Sequence, residues 1–412
     1  MYVLSSGASL TPVSSACVRQ AWRVGIMILF LLAGLGASQA EELPLVEKQV
    51  FSTTDFETLQ GEIIPEVEVG WEAYGELNEA RDNVILVTHF FSGNSHAAGR
   101  YSEDDPEPGY WDAIIGPGKA IDTNEYYVIS VDTLVNQEPF NPRVTTTGPA
   151  STNPETGEPY GLDFPVVTIR DFVNIQKEVL ESLGIESLHA VVGASMGSLQ
   201  ALDWAAAYPD WVKRMISVIG MGAADPWTIA NLQQWAEPIL ADPAWQGGQY
   251  YADGQPERGL HQAITQITLE ALHPEIFNLM YADASPREQA PAQDIQTDFS
   301  VVDELRQGVE LRARYADANH ILYLVRANQL FMAGYQDDLA SGLAPVTAKS
   351  LFIPAANDLL LMPYLAQQAH DTLVEQGKES TYMELEGPYG HLDGVLAIDT
   401  KAAEIAEFLA TE

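Results

Sequence analysis

Short apolar runs rich in β-branched residues alternate along the chain with longer stretches in which apolar residues recur every three to four positions. This alternation is typical of β-α-β units, and it predicts an α/β fold around a mostly parallel sheet. One amphipathic helix is expected over residues 169–183, with Gly184 as its stop signal. The clearest strand candidates are residues 84–88, 127–131, 188–192, 215–219, 350–354 and 382–385.

The pattern changes in the second half of the chain. Between residues 225 and 344 the strand-like runs disappear, and helical stretches rich in Ala, Leu, Gln and Trp replace them. We therefore predict a helical insertion over 225–344, within an α/β core formed by residues 41–224 and 345–412. This composition is typical of a lid over an active site. It is equally typical of an ordinary helical subdomain without a gating role.

The first 40 residues have the organisation of a secretory signal peptide. They contain no acidic residue, and Arg19 and Arg23 precede an apolar run over 24–37. This run is shorter than the roughly 20 apolar residues of a membrane-spanning helix, so cleavage near Ala40 is favoured over a retained membrane anchor. We expect a secreted or periplasmic protein that has no stable membrane insertion once residues 1–40 are removed.

Composition and charge narrow the classes of partner. The chain has 412 residues, of which 58 are acidic and 20 are basic, and its formal net charge is −38. Such acidity argues against a nucleic acid or an anionic membrane surface as the partner. The single cysteine, Cys17, lies in the predicted leader. The mature chain would therefore have no disulfide and no cysteine nucleophile.

A candidate nucleophile stands at the junction between a predicted strand and a predicted helix. Ser195 is the centre of a Gly-x-Ser-x-Gly motif, with Gly193 and Gly197 on either side. A turn this sharp strains the serine backbone, and only small flanking residues allow the helix to approach the strand so closely. The turn would present Ser195 at the carboxyl edge of the sheet. The Met196 N–H at the helix start is a candidate donor to an oxyanion.

A serine hydroxyl needs a base to take its proton and an acid to orient that base. For a nucleophile of this kind the acid and then the histidine follow later in the chain. His391 lies in a glycine-flanked loop after the last predicted strand, and it is the candidate base. Asp358, which follows the preceding strand, is the favoured acid because a separate loop can reach the imidazole without bending back on itself. Asp393 is the alternative.

The loop after the strand at 84–88 offers the second oxyanion donor. The N–H of Phe91 is the candidate there, alongside that of Met196. His89 and His96 lie in the same segment, but no second cluster of metal ligands accompanies them. Structural roles for the two histidines are favoured over a metal site, and neither a metal nor a cofactor is expected.

The chain resembles the homoserine O-acetyltransferase group of the α/β-hydrolase superfamily. The resemblance rests on four segments: HFFSGNSHAAG at 89–99, YWDAIIGPGKAIDT at 110–123, TGPASTNPETGEPYGLDFP at 147–165 and GASMGSLQALDWAAAYPD at 193–210. It implies the α/β-hydrolase fold and a ping-pong mechanism. In that mechanism Ser195 would carry the acyl group, and His391 and Asp358 would complete a catalytic triad. A homodimer through the helical insertion is implied as well.

The resemblance is weaker where the acyl acceptor would bind. In the family an aspartate usually follows the catalytic histidine and an arginine lies in the insertion, and both bind homoserine. Here Leu392 and Gln262 stand at those positions. We therefore expect an acceptor pocket without counter-charges for an amino acid. The favoured function is an exported esterase or acyl hydrolase acting on a small-molecule ester or acyl donor. The alternatives are an acyl-CoA-dependent O-acyltransferase and a non-catalytic binding protein with a decayed site.

Overall fold

The computed structural model describes residues 43–281 and 294–411. The predicted signal peptide, residues 1–40, lies outside them. A central sheet of eight strands carries the fold, and a separate two-stranded sheet joins β4 and β5. In chain order the strands are β1 (Gln49–Glu57), β2 (Ile63–Tyr74), β3 (Val84–Thr88), β4 (Ile115–Gly116), β5 (Ile121–Asp122), β6 (Tyr127–Val131), β7 (Ala190–Ala194), β8 (Arg214–Val218), β9 (Lys349–Ile353) and β10 (Ser380–Tyr382).

The central sheet is mostly parallel. Its strand order is β1-β2-β6-β3-β7-β8-β9-β10, and only the pairs β1 with β2 and β2 with β6 are antiparallel. The α/β class and the parallel centre of the sheet are thereby confirmed. β3 and β6 have the predicted bounds, and the other four predicted strands are displaced by one to three residues at their ends.

Two strands of the central sheet were not predicted, and neither were the two short strands β4 and β5. β1 and β2 form the antiparallel edge of the sheet, and β1 is largely half-buried or exposed along its length. Its sequence, QVFSTTDFE, is mostly polar, whereas the expected strands were those with continuous apolar runs. Such runs belong to strands that are buried on both faces, such as β3.

Both faces of the sheet are covered. Leu86 packs in one apolar cluster with side chains from the helices at 169–182, 196–207 and 363–375. Its neighbour Val87 points to the other face and packs in a second cluster with side chains from residues 111–121 and from the C-terminal helix. Alternate residues of one strand therefore belong to two different cores, as the pleat requires. The helices of this layered core are α1 (Ile169–Ser182), α2 (Met196–Ala207), α9 (Pro363–Glu375), α10 (Asp393–Leu396) and α11 (Ala402–Ala410).

Between β8 and β9 the described chain is helical. The helices there are α3 (Pro226–Ala241), α4 (Glu257–Ala271), α5 (Pro274–Met280), α6 (Ser300–Ala313), α7 (Ala318–Gln329) and α8 (Leu339–Leu343). Asp225 caps α3 by accepting a hydrogen bond from the Thr228 N–H at 2.8 Å, and a proline occupies the first turn. Among the described residues no helix is long and apolar enough to cross a membrane.

A buried ion pair connects helix α2, which follows Ser195, to its surroundings. Asp203 on α2 is fully buried, and its two carboxylate oxygens accept hydrogen bonds from Arg170 on α1 at 2.6 and 3.0 Å. The Gly334 N–H, which follows α7, donates to the same carboxylate at 3.0 Å. One carboxylate therefore joins two core helices to the end of the helical segment.

Replacing Asp203 by alanine should lower the free energy of unfolding by about 3–5 kcal/mol, because Arg170 would keep a largely buried charge without a partner. Urea unfolding followed by circular dichroism measures the change. Glu181→Ala is the matched control, since Glu181 pairs with Lys177 on the surface of α1, and it should cost less than about 1 kcal/mol. Equal effects of the two substitutions would contradict the structural importance of the Asp203 pair.

Candidate active site

The turn between β7 and α2 holds Ser195 in a strained conformation. Its φ is 54° and its ψ is −124°, in a region that residues other than glycine rarely adopt. The flanking glycines leave no room for a side chain. A Cβ on Gly193 would lie 2.2 Å from Thr88 Oγ1, and a Cβ on Gly197 would lie 2.0 Å from the Thr88 carbonyl oxygen. Close packing against the end of β3 therefore requires glycine at both positions.

Three side chains from separate parts of the chain meet at this turn. His391 Nε2 lies 2.7 Å from Ser195 Oγ, and His391 Nδ1 lies 2.7 Å from Asp358 Oδ2. The other oxygen of Asp358 accepts hydrogen bonds from the N–H groups of Leu360 and Leu361 at 2.8 and 3.0 Å. All three members of the arrangement are buried. An imidazole that donates from Nδ1 to the carboxylate leaves Nε2 free to accept the serine proton.

Asp393, the alternative acid, has a different place. Its Oδ1 accepts a hydrogen bond from the Tyr389 N–H at 3.0 Å, within the loop that carries His391. Burial raises the pKa of Asp393, and its Oδ2 has no hydrogen-bond partner among the described residues. Asp358, and not Asp393, is the carboxylate hydrogen-bonded to the imidazole.

Two backbone N–H groups at the serine are available to a ligand. Phe91 lines the same cavity as Ser195, and Met196 follows Ser195 as the first residue of α2. Within the described parts of the chain, neither N–H donates a hydrogen bond to a protein acceptor. First-turn amides of a helix have no partner within the helix, and paired amides of this kind can bind a developing oxyanion.

The histidines at 89 and 96 have hydrogen-bonding roles inside the protein. His89 Nδ1 donates to the Phe90 carbonyl at 2.8 Å, and its Nε2 accepts from the Thr133 N–H at 3.1 Å. Burial lowers the pKa of His89, which suits this neutral form. His96 Nδ1 lies 2.9 Å from Glu72. The described residues contain no group of three or more His, Cys, Asp or Glu side chains placed to hold a metal ion.

A cluster of buried charged and polar groups lies under the loop that carries Phe91. Fully buried Glu72 is 3.0 Å from Lys48 Nζ, and it also accepts a hydrogen bond from Tyr101 at 2.5 Å. Beside it, Asp132 is 3.3 Å from Lys48 and accepts a hydrogen bond from the Ser95 N–H at 2.7 Å. Two carboxylates of the core therefore hold the segment that follows Phe91.

The cavity above Ser195 is compact, and most of its lining side chains are apolar. About 20 Å³ of it is accessible to water-sized molecules, within about 280 Å³ of space that includes the opening to solvent. Apart from Ser195, its lining residues are Phe91, Met221, Leu232, Trp235, Asn328, Leu360 and Leu361. Leu232 and Trp235 come from α3 and Asn328 comes from α7, so the helical segment supplies one wall. No charged side chain is among these described lining residues.

The two expected acceptor residues do not line this cavity. Gln262 is exposed on α4, because the buried face of that helix carries Gly259, Leu260, Ala263, Ile264 and Ile267 instead. Leu392 is half-buried beside His391 and is likewise absent from the lining. Asn328 was not predicted from the sequence. A single asparagine near the end of a helix carries no signal that would distinguish it from a surface residue.

Comparison with known proteins identifies the class of protein to which this fold belongs. Residues 140–390 match the α/β hydrolase fold family, which agrees with the observed sheet. The crystal structure of esterase E22 is 56% identical in sequence, has a TM-score of 0.86, and is matched over 89% of this chain and 100% of its own.

Two further comparisons identify the family more closely. The homoserine O-acetyltransferase of Methanococcoides burtonii is 38% identical over 351 residues, which are 82% of this chain and 70% of that protein. The structure of the homoserine O-acetyltransferase from Bacillus anthracis is 38% identical with a TM-score of 0.86, over 90% of this chain and 99% of its own. The chain belongs to the homoserine O-acetyltransferase family of α/β hydrolases, and it spans about two thirds of the length of several archaeal members.

The buried cluster should make stability depend on pH. Burial would raise the pKa of Glu72, but the hydrogen bond from His96 and the charge of Lys48 outweigh it and lower the pKa to about 2, from the ordinary 4.5. A lowered pKa stabilises the fold above the ordinary pKa, and this stabilisation is lost as the pH falls toward 2. In Glu72→Gln this stabilisation by the carboxylate is absent at every pH.

We therefore expect the difference in unfolding free energy between wild type and Glu72→Gln to be largest at pH 7 and about 1 kcal/mol smaller at pH 3.5. Urea unfolding at the two pH values measures it. Glu76→Gln is the control, because Glu76 is exposed at the end of β2 and its substitution should give no such change. A Glu72→Gln difference that stays constant between the two pH values would contradict the lowered pKa.

Proposed function

We propose that this chain is a serine ester hydrolase that uses water as the acceptor of the acyl group. Ser195 Oγ attacks the ester carbonyl while His391 Nε2 takes its proton. The proton then passes to the leaving alcohol, and an acyl-enzyme remains. Water, deprotonated by the same histidine, attacks the acyl carbonyl and releases the acid and free Ser195. Asp358 keeps the imidazole oriented throughout, and the N–H groups of Phe91 and Met196 stabilise the oxyanion of each step.

We favour hydrolysis over transfer to homoserine because the described residues that line the cavity include no charged side chain. Homoserine has an ammonium and a carboxylate, and each would have to leave water for a wall of Leu, Phe, Met and Trp side chains. Losing a charge-assisted hydrogen bond costs about 1.5–3 kcal/mol for each group. A neutral ester and a water molecule need no counter-charge. The 56% identity to an esterase supports the same choice.

The second candidate function is acyl-CoA-dependent O-acetylation of an alcohol. The relatives at 36–40% identity, which are named homoserine O-acetyltransferases, favour it. The same triad would serve, since only the second acceptor differs. We propose export of the mature chain to the periplasm or the medium, on the strength of the leader-like residues 1–40, and acetyl-CoA is an intracellular donor. Export therefore favours hydrolysis.

Ser195→Ala should abolish release of p-nitrophenol from p-nitrophenyl acetate, with kcat lower by at least about 10⁴-fold. A fluorophosphonate probe should label wild type at Ser195, as read by mass spectrometry, and should leave Ser195→Ala unlabelled. Wild-type protein that neither hydrolyses the ester nor takes up the probe would identify a decayed site.

The two candidate acids can be separated by matched substitutions. Asp358→Asn should lower kcat by about 10⁴-fold, because the asparagine favours the wrong imidazole tautomer. Asp393→Asn removes a carboxylate of similar burial from the loop of His391 and should lower kcat by less than about tenfold. Steady-state kinetics on p-nitrophenyl acetate, with thermal melting to check folding, measures both. The reverse order of effects would assign the acid to Asp393.

The two functions differ in their response to homoserine. With acetyl-CoA as the donor, we expect homoserine to cause no increase in the release of free CoA thiol and no O-acetylhomoserine detectable by mass spectrometry. Release of CoA that depends on homoserine and on Ser195 would overturn the hydrolase proposal in favour of the transferase.

A further inference from the structure

We propose that Asn328 is a specificity-determining residue, whose side-chain oxygen accepts a hydrogen bond from a neutral hydroxyl group of the substrate. The inference rests on the proposed ester hydrolase function and names a class of ester for it. The preferred substrate would be a hydroxyalkyl ester, such as a monoester of a diol or an ester of a hydroxy acid.

The position of Asn328 is unusual for a polar side chain. It lies in the last turn of α7, its exposure is only 5%, and it lines the same cavity as Ser195. With the exception of Ser195, every other described residue that lines the cavity is apolar. Asparagine is costly in such a place unless its amide is matched by hydrogen bonds.

The hydrogen bonds of the amide decide which end faces the cavity. Asn328 Nδ2 donates to the Leu324 carbonyl at 2.8 Å, one turn earlier in α7. A carbonyl oxygen can only accept, so the nitrogen must be the end that meets Leu324 and the orientation of the amide is determined. The oxygen, Oδ1, is the remaining end.

The oxygen of Asn328 is an acceptor without a donor. No group among the described residues donates to it, and it is not one of the fully enclosed polar atoms. Since the residue as a whole is almost buried and lines the cavity, we infer that the opening through which Oδ1 is accessible is the cavity itself. A substrate that fills the cavity would therefore cover this acceptor.

A covered acceptor favours a substrate that supplies a donor. If the substrate is apolar at this point, Oδ1 loses its contact with water and gains nothing, whereas a hydroxyl group restores the hydrogen bond. Sites built in this way discriminate strongly against analogues that lack the donor. An ammonium group would also donate, but the apolar walls provide no carboxylate to balance it. A neutral hydroxyl is the donor that fits both observations.

Two pairs of esters of matched shape test the proposal. Propyl acetate and 2-hydroxyethyl acetate differ by a methyl and a hydroxyl in the alcohol, and methyl butyrate and methyl 3-hydroxypropionate differ in the same way in the acyl chain. The measurement is the ratio of kcat/KM for the hydroxylated ester to that for its apolar partner, for wild type and for Asn328→Leu. Comparing the two enzymes cancels the intrinsic reactivity of the esters.

In at least one pair we expect the ratio to fall by about 10- to 100-fold in Asn328→Leu. Gln329→Leu removes an amide from the next position of α7, where it is bonded to the Ile229 carbonyl outside the cavity lining, and it should leave both ratios unchanged. Asn328→Ala, with a smaller side chain, should lower the ratio as Asn328→Leu does, and it replaces that variant if thermal melting shows that Asn328→Leu is unfolded.

The outcomes separate this inference from the proposed function. Unchanged ratios in both pairs, or an equal loss of activity on all four esters, would overturn the role of Asn328 and leave the hydrolase intact. Failure of wild type to hydrolyse any of the four esters, in a preparation shown to be folded by thermal melting, would overturn the hydrolase proposal and the role of Asn328 with it.

Discussion

The close contact between the start of α2 and the end of β3 is the constraint on which the site depends. Backbone atoms at Gly193 and Gly197 approach Thr88 so closely that a methyl group at either glycine would overlap it. Thr88 Oγ1 also donates to the Gly197 carbonyl at 2.7 Å. This packing keeps Ser195 in its strained conformation, because relaxing the serine would move the helix away from the strand.

The same contact brings together the two segments that carry the candidate oxyanion donors. β3 ends at Thr88, so the segment that contains Phe91 begins where the nucleophile turn packs. A helix start supplies the Met196 N–H from one side, and the loop supplies the Phe91 N–H from the other. Glu72 and Asp132 hold this loop in place, because they are hydrogen-bonded to His96 and to the Ser95 N–H, respectively. The charged groups described there therefore lie behind the site, and the cavity itself remains apolar.

The sequence predicted the parts of the molecule that have a local signal. β3 and β6 are mostly apolar runs buried on both faces, so their bounds were predicted correctly, whereas β1, which is mostly polar and largely half-buried or exposed, was overlooked. Asp358 was favoured over Asp393 on a steric argument that needs only the order of strands and loops, and the imidazole indeed meets Asp358.

The cavity could not be predicted in this way. Gln262 was chosen by resemblance to the family, but one residue of error on a helix turns a side chain by about 100°, and its neighbours Ala263 and Ile264 are the buried ones. Asn328 contributes to the cavity only because α7 packs against α3, and this is a tertiary contact with no counterpart in the local sequence.

The helices between β8 and β9 supply one wall of the cavity, whereas Ser195, His391 and Asp358 come from the core. One carboxylate of these helices, Glu270, is hydrogen-bonded to a lining side chain and is already engaged. It accepts hydrogen bonds from Trp235 Nε1 at 2.8 Å and from Asn231 at 3.0 Å, and burial raises its pKa. This carboxylate therefore positions an apolar wall and is not available as a counter-charge for an ammonium group. The relatives of this chain are named for acetyl transfer to homoserine, whereas the described residues that line its cavity include no charged side chain to pair with an amino acid.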